Sequence, residues 1–302
     1  SNRDMAYAPP SKIYTIDENG RFSRPYTYNY IREYEPLLMQ TVFKQDRSHK
    51  YYIKLFTHGH LFGVENGGQL YLLGTDINGR DVFSRLLFGG RISMTVGFLS
   101  LLIVFPIGLL YGGISGYFGG IVDTIMMRFA EAIMAIPSFY LLIILAAILP
   151  SGMTSVQRFA LIVVILALIG WSGFARVVRG MVLSIKNEDF VLAEKTIGAS
   201  NLRIILKHII PQTTSYVIIA MTLSVPSYIL AESGLSFLGL GIQQPDASWG
   251  NMLKEAQEFT NILYRPWLLT PGALIFIAVL SFNLLGDAIR DILDPKSQGQ
   301  RR

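Results

Sequence analysis

The chain has no cysteine. That excludes a disulfide framework, a thiolate metal site and a cysteine nucleophile, and it leaves the redox compartment open. Charge is scarce as well. Asp, Glu, Lys and Arg make up 16% of the 302 residues, against about 25% in an average soluble protein. With 51% hydrophobic residues and a mean hydropathy of +0.41, the composition excludes a disordered chain, a coiled coil and most ordinary soluble enzymes. Several chemical signatures are missing too. There is no G-x-x-x-x-G-K-S/T phosphate loop, so any ATP hydrolysis belongs to another chain. There is no H-E-x-x-H, no G-x-S-x-G and no paired-histidine metal spacing. His58 and His60 form H-G-H, but two histidines without further ligands read as surface residues. No catalytic residue, metal or cofactor is expected. The net charge of +5 reads as membrane topology and not as nucleic-acid binding.

What is present is unevenly distributed. Residues 1–73 hold nine Lys/Arg and seven Asp/Glu among scattered tyrosines and read as a polar, aromatic-rich segment. The long apolar runs fall between residues 92 and 290. A spanning helix needs about 20 mostly apolar residues to cross a hydrocarbon core of about 30 Å, and five stretches qualify: 92–114, 124–149, 159–178, 215–238 and 270–289. They are apolar nearly all round, unlike the one-sided helices of a soluble core. The expected fold class is an all-α polytopic membrane protein with five transmembrane helices in this sequence. Pro106, Pro137 and Pro226 each lie inside an apolar run and are expected to bend it. Pro137 and Pro226 are candidates for shaping a path through the membrane. Gly108, Gly112, Gly113 and Gly116 give the small-residue spacing that lets helices approach closely.

Charge asymmetry gives an orientation. The segment between the third and fourth runs holds Arg176, Arg179, Lys186, Lys195, Arg203 and Lys207 against Glu188, Asp189 and Glu194. The tail holds Arg290, Lys296, Arg301 and Arg302, whereas 241–269 holds only Lys254 and Arg265 with three acids. The expected organisation is an extracytoplasmic segment 1–91, a transmembrane domain 92–290 with a cytoplasmic loop at 184–212 and an outer loop at 241–269, and a cytoplasmic tail 291–302. A chain of five spans that begins outside has no obvious start for insertion. A sixth span ahead of Ser1 is therefore expected, with both ends inside. Among intramembrane charges, Arg128 and Glu131 are spaced to pair on one helical face. Glu232, four residues before Ser236, is an intramembrane carboxylate. It is either a pathway or subunit contact or a hydrogen-bonded structural acid. Trp249 and Trp267 are available as anchors at the outer interface.

The cytoplasmic stretch from Glu188 to Pro211 divides cleanly. Acids at Glu188 and Asp189 favour a helix start. Phe190, Ala193 and Ile197 fall on one helical face. Gly198 supplies a helix stop, and Ser200 or Asn201 caps a second helix with Leu202, Ile205, Leu206 and Ile209 on one face. Pro211 is expected to end it. Two short helices joined by glycine would make a compact knob.

This run resembles the EAA loop of binding-protein-dependent ABC importer permeases, in which a short helix, a glycine and a later proline follow in that order. Gly198 stands at the family glycine and Ala193 at the central alanine, while Leu192 replaces the usual leading Glu and Glu194 the last alanine. The resemblance implies that Phe190, Ala193, Glu194, Gly198, Ala199, Leu202, Arg203 and Pro211 build the element that docks into a groove on an ATPase subunit. Further runs are similar to the dipeptide/oligopeptide permease C subunits: Leu73-Gly-Thr-Asp-Ile-Asn-Gly-Arg-Asp81, Gly116-Tyr-Phe-Gly-Gly120 with Asp123, Ala135-Ile-Pro-Ser138, Leu238-Gly-Leu-Gly241, Ser248-Trp-Gly-Asn251, and Phe282-Asn-Leu-Leu-Gly-Asp287 leading to Asp294-Pro295. In order and spacing they cover 72–296. The resemblance implies a type I ABC importer permease fold in a bacterial inner membrane and transport of peptides or similar solutes. It also implies partners of three kinds: a homologous permease, two ATPase subunits and an extracytoplasmic binding protein docking on 1–91 and on 241–269 with Trp249 and Trp267. Two other classes stay open. An ion-coupled secondary transporter would move its substrate without an ATPase and would need more intramembrane acids than Glu131, Glu232 and Asp287 offer. A membrane-embedded enzyme would need a nucleophile–base or metal constellation that the sequence lacks.

Overall fold

The computed structural model describes residues 3–17, 20–36, 40–57, 60–64, 67–150 and 152–293. The chain divides into two compact units, Ser1–Gly89 with Met252–Pro271, and Gly90–Asn251 with Gly272–Arg302.

The first unit is built on a four-stranded antiparallel sheet in the order β1 (Tyr14–Ile16), β2 (Phe22–Glu35), β3 (Gln40–Thr57) and β4 (His60–Val64). The all-α expectation therefore applies to the helical unit, and the segment before residue 73 is β. The cause is visible in β2, where Tyr26, Tyr28 and Tyr30 alternate with Thr27 and Asn29. Strand geometry puts alternate residues on one face, and all three tyrosines are buried. Tyr14 stacks on Tyr26 with ring centroids 5.6 Å apart, and the Tyr30 hydroxyl donates to Pro10 O at 2.9 Å. β2 and β3 pair from Tyr26↔Tyr52 to Glu35↔Gln40, with a register shift between Thr27 and Asn29.

The Leu73–Asp81 run ties this unit together. Asp76 Oδ1 accepts the backbone N–H groups of Asn78 at 2.8 Å and Arg80 at 2.9 Å, and Oδ2 accepts Arg80 Nε at 2.7 Å. Asp81 Oδ2 accepts the Ser84 N–H at 2.8 Å, which caps the next helix. From the 252–271 stretch, Glu255 Oε2 accepts the Ile77 N–H at 3.1 Å and Trp267 Nε1 donates to Thr75 O at 3.1 Å.

The second unit is helical. Its elements are α1 (Val82–Phe118), α2 (Gly120–Met134), α3 (Ser138–Ala147), α4 (Ser155–Ile185), α5 (Asp189–Thr196), α6 (Asn201–Ile204) and α7 (Thr214–Phe237). The chain continues through α8 (Trp249–Leu253), α9 (Phe259–Tyr264, in the first unit) and α10 (Thr270–Leu293). Four helices among the described residues are long and apolar enough to cross a membrane: Val82–Phe118, Ser155–Ile185, Asn201–Phe237 and Pro266–Leu293. The expected second span is α2 and α3, which meet at a 76° bend. The three prolines behave differently. Pro106 and Pro226 lie inside unbroken helices, whereas Pro137 stands at the break, in extended conformation, as the residue before α3. α1 and α7 therefore continue through Pro106 and Pro226, while Pro137 follows the end of α2 and precedes α3.

The glycine spacing on α1 does what small-residue spacing predicts. A Cβ at Gly112 would lie 2.4 Å from Ala175 O on α4, and one at Gly116 2.7 Å from Arg179 O. The two backbones are in contact, and the core of Leu101, Val104, Phe105, Trp171, Phe174 and Val178 closes around that line.

Candidate functional site

The knob begins where α4 ends. Lys186 Nζ donates to Gly116 O at 3.0 Å, placing an ammonium at the C-terminal, negative end of the α1 dipole. α5 then runs to Thr196. Gly198 takes φ +82°, and the Ala199 N–H bonds back to Glu194 O at 3.1 Å, which closes the helix by the left-handed stop that glycine favours. A Cβ at Gly198 would meet nothing within 4 Å, so its backbone angle and not crowding calls for glycine.

α6 starts after Ser200 and does not end at Pro211. A wide five-residue turn, Ile205–Ile209, is followed by a tight one, Ile210–Thr213, and the helix runs on as one rod from Asn201 to Phe237. This corrects the expected stop. The change of hydrogen-bond spacing absorbs the N–H that proline lacks. The Thr213 and Thr214 hydroxyls donate to Ile210 O and Pro211 O, each at 2.7 Å.

Burial sorts the knob into two faces. Val191, Ile204, Ile205 and Ile209 are fully buried in the helical core. Phe190, Ala193 and Ile197 of α5, with Leu202, Arg203 and Leu206, face outward, and Ile197 is 77% exposed. The expected face Leu202–Ile205–Leu206–Ile209 is thus split, because the wide turn carries Ile204, Ile205 and Ile209 together toward the core. Ala199 is half-buried, and Glu194 Oε1 lies 3.5 Å from His208 Nε2.

One side chain outside the predicted set joins the knob to α1. The Tyr117 hydroxyl donates to Asn201 Oδ1 at 2.9 Å, its ring carries Lys195 Nζ 5.0 Å from the centroid, and its carbonyl lies 3.5 Å from Lys186 Nζ. Beside it, Arg179 grips Asp123 through Nε at 2.9 Å and through Nη2, and Ser115 Oγ donates to Asp123 Oδ1 at 2.5 Å. The sequence signal was the Gly116–Gly120 run with Asp123, which named the residues without giving them a task.

At the other end of α1 sits Glu232, with no accessible surface. Its carboxylate accepts Ser93 Oγ at 2.7 Å and Ser236 Oγ at 2.6 Å. Those hydroxyls in turn accept the N–H of Trp249 at 3.2 Å and of Ile242 at 2.9 Å. Glu232 therefore joins α1, α7 and the 238–251 loop. Gly250 lies so close to α7 that a Cβ would stand 2.2 Å from Ser233 O.

Trp249 is buried, its ring 2.7 Å from where a Gly90 Cβ would stand. Trp267 is half-buried and bonded to Thr75. Burial withdraws Trp249 from the docking surface on which it was expected, and Trp267 is half withdrawn by its bond to Thr75. The exposed large apolar side chains of that stretch are Phe259, Ile262, Leu263 and Tyr264 of α9, with Leu269 beyond it.

Pro137 is exposed. Next to it, a cavity of about 320 Å³ lies among α3, α4 and α7, lined by Ser138, Ser172, Ser224, Ser227 and Tyr228 among apolar neighbours and by no charged residue. Pro226 is buried, one turn of α7 from Leu223 and Leu230. Arg128 Nη1 pairs with Glu131 Oε2 at 3.2 Å on an open surface. No cluster of three or more metal-ligating side chains occurs among the described residues. His58, and with it the H-G-H pair, lies outside them, as do Asp294-Pro295 and the rest of the tail.

Comparison with known proteins fits this arrangement. Residues 105–299 match the family model of the binding-protein-dependent transport system inner membrane component. The chain is 48% identical over 225 residues to the dipeptide transport system permease protein DppC of Bacillus subtilis, covering 74% of this chain and 68% of that one. It is 42% identical to the oligopeptide permease protein OppC of the same organism, over 74% of this chain and 71% of that one. Against the nickel transport system permease protein NikC of Escherichia coli K12 it is 39% identical, over 74% of this chain and 78% of that one. Among solved structures, a chain of the MetNI methionine ABC transporter in an inward-facing form superposes with a TM-score of 0.54 at 18% identity, over 70% of this chain and 97% of that one, which establishes a shared fold. The ion-coupled and enzymatic alternatives fall with these matches. The chain belongs to the binding-protein-dependent transport system inner membrane components and is a multi-pass permease subunit of an ABC importer.

Proposed function

We propose that this permease carries peptides or similar solutes inward across the membrane and that the 184–212 knob is its contact with the ATPase. The observation that carries the reading is the outward apolar face of Phe190, Ala193, Ile197, Leu202 and Leu206 on an element whose other face is sunk in the core. An apolar patch held on a rigid base is what a partner groove takes up. Glu194, Ala199, Arg203 and Pro211 shape this element and Gly198 sets its turn. Two ATPase subunits sit below a pair of permeases, this chain and a homologue. The knob and the tail 291–302 face the cytoplasm, and 1–91 and 241–269 face outward. The binding protein docks on the outer side, with α9 in place of the buried tryptophans. Pro137 and the hydroxyl-lined cavity beside it belong to the path. Pro226 and Glu232 hold α7 in shape without touching cargo. Peptide is favoured as solute because relatives named for dipeptide and oligopeptide transport reach 48% and 42% identity, against 39% for one named for nickel.

The test is a pull-down of the full-length tagged chain from gently solubilised native membranes. Recovery of an ATPase carrying a phosphate loop, lost when Gly198 is replaced by a bulky residue, supports the reading. Recovery of the chain without any ATPase overturns it.

A further inference from the structure

The knob is tied to the membrane helices unevenly. Three of its elements converge on Tyr117, the penultimate residue of α1. Lys186 after α4 reaches its carbonyl, Lys195 of α5 covers its ring, and Asn201 of α6 accepts its hydroxyl. One helical turn away, the Asp123–Arg179–Ser115 cluster fixes the same end of α1 to α2 and α4. Eleven residues in from its N-terminal residue Val82, α1 carries Ser93, bonded to both Glu232 and the Trp249 backbone. The two residues share one unbroken helix and stand about 36 Å apart along its axis at 1.5 Å per residue, enough to cross the hydrocarbon core. Between them the glycine face keeps α1 in backbone contact with α4.

We infer that Tyr117 is the positioning residue through which motion of the knob enters the membrane, and that α1 delivers it to the Ser93–Glu232 hub and the 238–251 loop. The inference rests on the proposed docking of the knob to an ATPase. The argument is mechanical. A short two-helix knob moved from outside displaces first what it grips by several bonds at once, and no other residue of the α1 end is held from α4, α5 and α6 together. A helix resists compression far better than bending, so an axial shift at residue 117 reappears at residue 93. There the buried carboxylate, bonded to Ser93 on α1 and Ser236 on α7, has little freedom to absorb it.

The experiment uses the whole purified transporter in proteoliposomes. These 302 residues hold no cysteine, so with the partner subunits prepared in cysteine-free form the spin labels go only where they are placed. Arg91→Cys, two residues before Ser93 on α1, and Val156→Cys at the start of α4 are both at exposed positions. Inter-label distances are compared without nucleotide and after trapping with ATP and vanadate. With Tyr117 in place, the distance distribution is expected to shift on trapping. With Tyr117→Leu it is expected to stay put while ATP hydrolysis and subunit recovery persist. Tyr117→Phe, which keeps the ring under Lys195 and loses only the bond to Asn201, is expected to lower the shifted-to-unshifted ratio roughly fivefold, the usual weight of one hydrogen bond. Asn201→Ala serves as a second variant if Tyr117→Leu does not assemble, and it is expected to match Tyr117→Phe. A shift that survives loss of both Tyr117 contacts, or no shift in the parent chain of an active transporter, overturns the inference. Absence of any ATPase from the purified parent complex would instead sink the docking proposal on which it stands.

Discussion

Ser236 lies one turn beyond Glu232 on α7 and donates its hydroxyl to Glu232 Oε1 at 2.6 Å while accepting the Ile242 N–H at 2.9 Å. Ser93 does the same from α1, between Glu232 Oε2 and the Trp249 N–H. Each serine has one proton, and the loop N–H groups leave it only one direction to point. The carboxylate is thus the acceptor on which the order of the 238–251 loop depends.

Glu232→Gln keeps the shape and reverses half of that pattern. One end of the amide becomes a donor aimed at a hydroxyl that is already facing a backbone N–H. Leaving a buried hydrogen-bonding group unmatched costs about 1–3 kcal/mol. A lower melting temperature and faster amide exchange confined to 238–251 are expected. Unchanged exchange there would mean that the loop is held by other contacts.

Gly198 and Gly112 separate two uses of glycine. At Gly198 the space is open and φ is +82°, so Ala costs about 1–2 kcal/mol from backbone conformation alone, and Asn, which tolerates that region, should recover most of it. The readout is ATPase recovery at fixed expression. At Gly112 the angle is ordinary and the space is absent. Even Ala pushes against Ala175 O and should depress the folded yield of the whole chain. Gly180, with nothing within 4 Å of a Cβ, is the control, where Ala is expected to be neutral or to stabilise by about 0.5–1 kcal/mol.

Glu255 gives a pH dependence outside the membrane segments. Burial pushes its carboxyl up and Asp76 adds to that, while the bond from the Ile77 N–H and the guanidinium groups of Arg85 and Arg80 pull it down. A carboxyl whose folded pKa is raised binds its proton more tightly when folded, so this group adds stability as pH falls through the raised value and opposes folding above it. Glu255→Gln retains an oxygen for Ile77. It is expected to raise the melting temperature at neutral pH and to remove the gain that the parent chain shows on mild acidification. Equal melting temperatures for the two proteins at every pH would refute this.

Phe259 and Tyr264, 73% and 71% exposed, form the apolar face of α9. Phe259→Asp with Tyr264→Ser should weaken capture of the binding protein without changing ATPase recovery, since the knob belongs to the other compact unit. Equal capture would move the docking surface away from α9.

Much of the helical unit could be read from the sequence because a bilayer leaves helices few alternatives. Four apolar runs became helices, and the fifth, interrupted at Pro137, became a sharply bent pair. The knob's stop at Gly198 was legible because a left-handed angle requires a particular residue. The direction of α6 was not. Its apolar residues lie close together, and a single wide turn decides which of them face the core. The hub was half legible. Ser236, at i+4 from Glu232, sits beside it on any helix, but Ser93 is 139 residues away and no local pattern announces it. The tryptophans misled because an indole in a polar loop reads equally well as an anchor or as packing, and Gly90 and Thr75, which hold them, carry no signal of their own. In the first segment the alternating tyrosines of β2 spell a strand, but tyrosines elsewhere in that segment hid the period.

The two irregular turns before α7 have a consequence for rotation. A wide turn under-winds a helix and a tight one over-winds it. At Ile205–Ile209 and Ile210–Thr213 they follow one another directly, so their angular errors oppose each other. Pro211 is thereby carried without putting α7 out of phase with α6, so the face of α7 that bears Glu232 keeps the bearing set at Asn201.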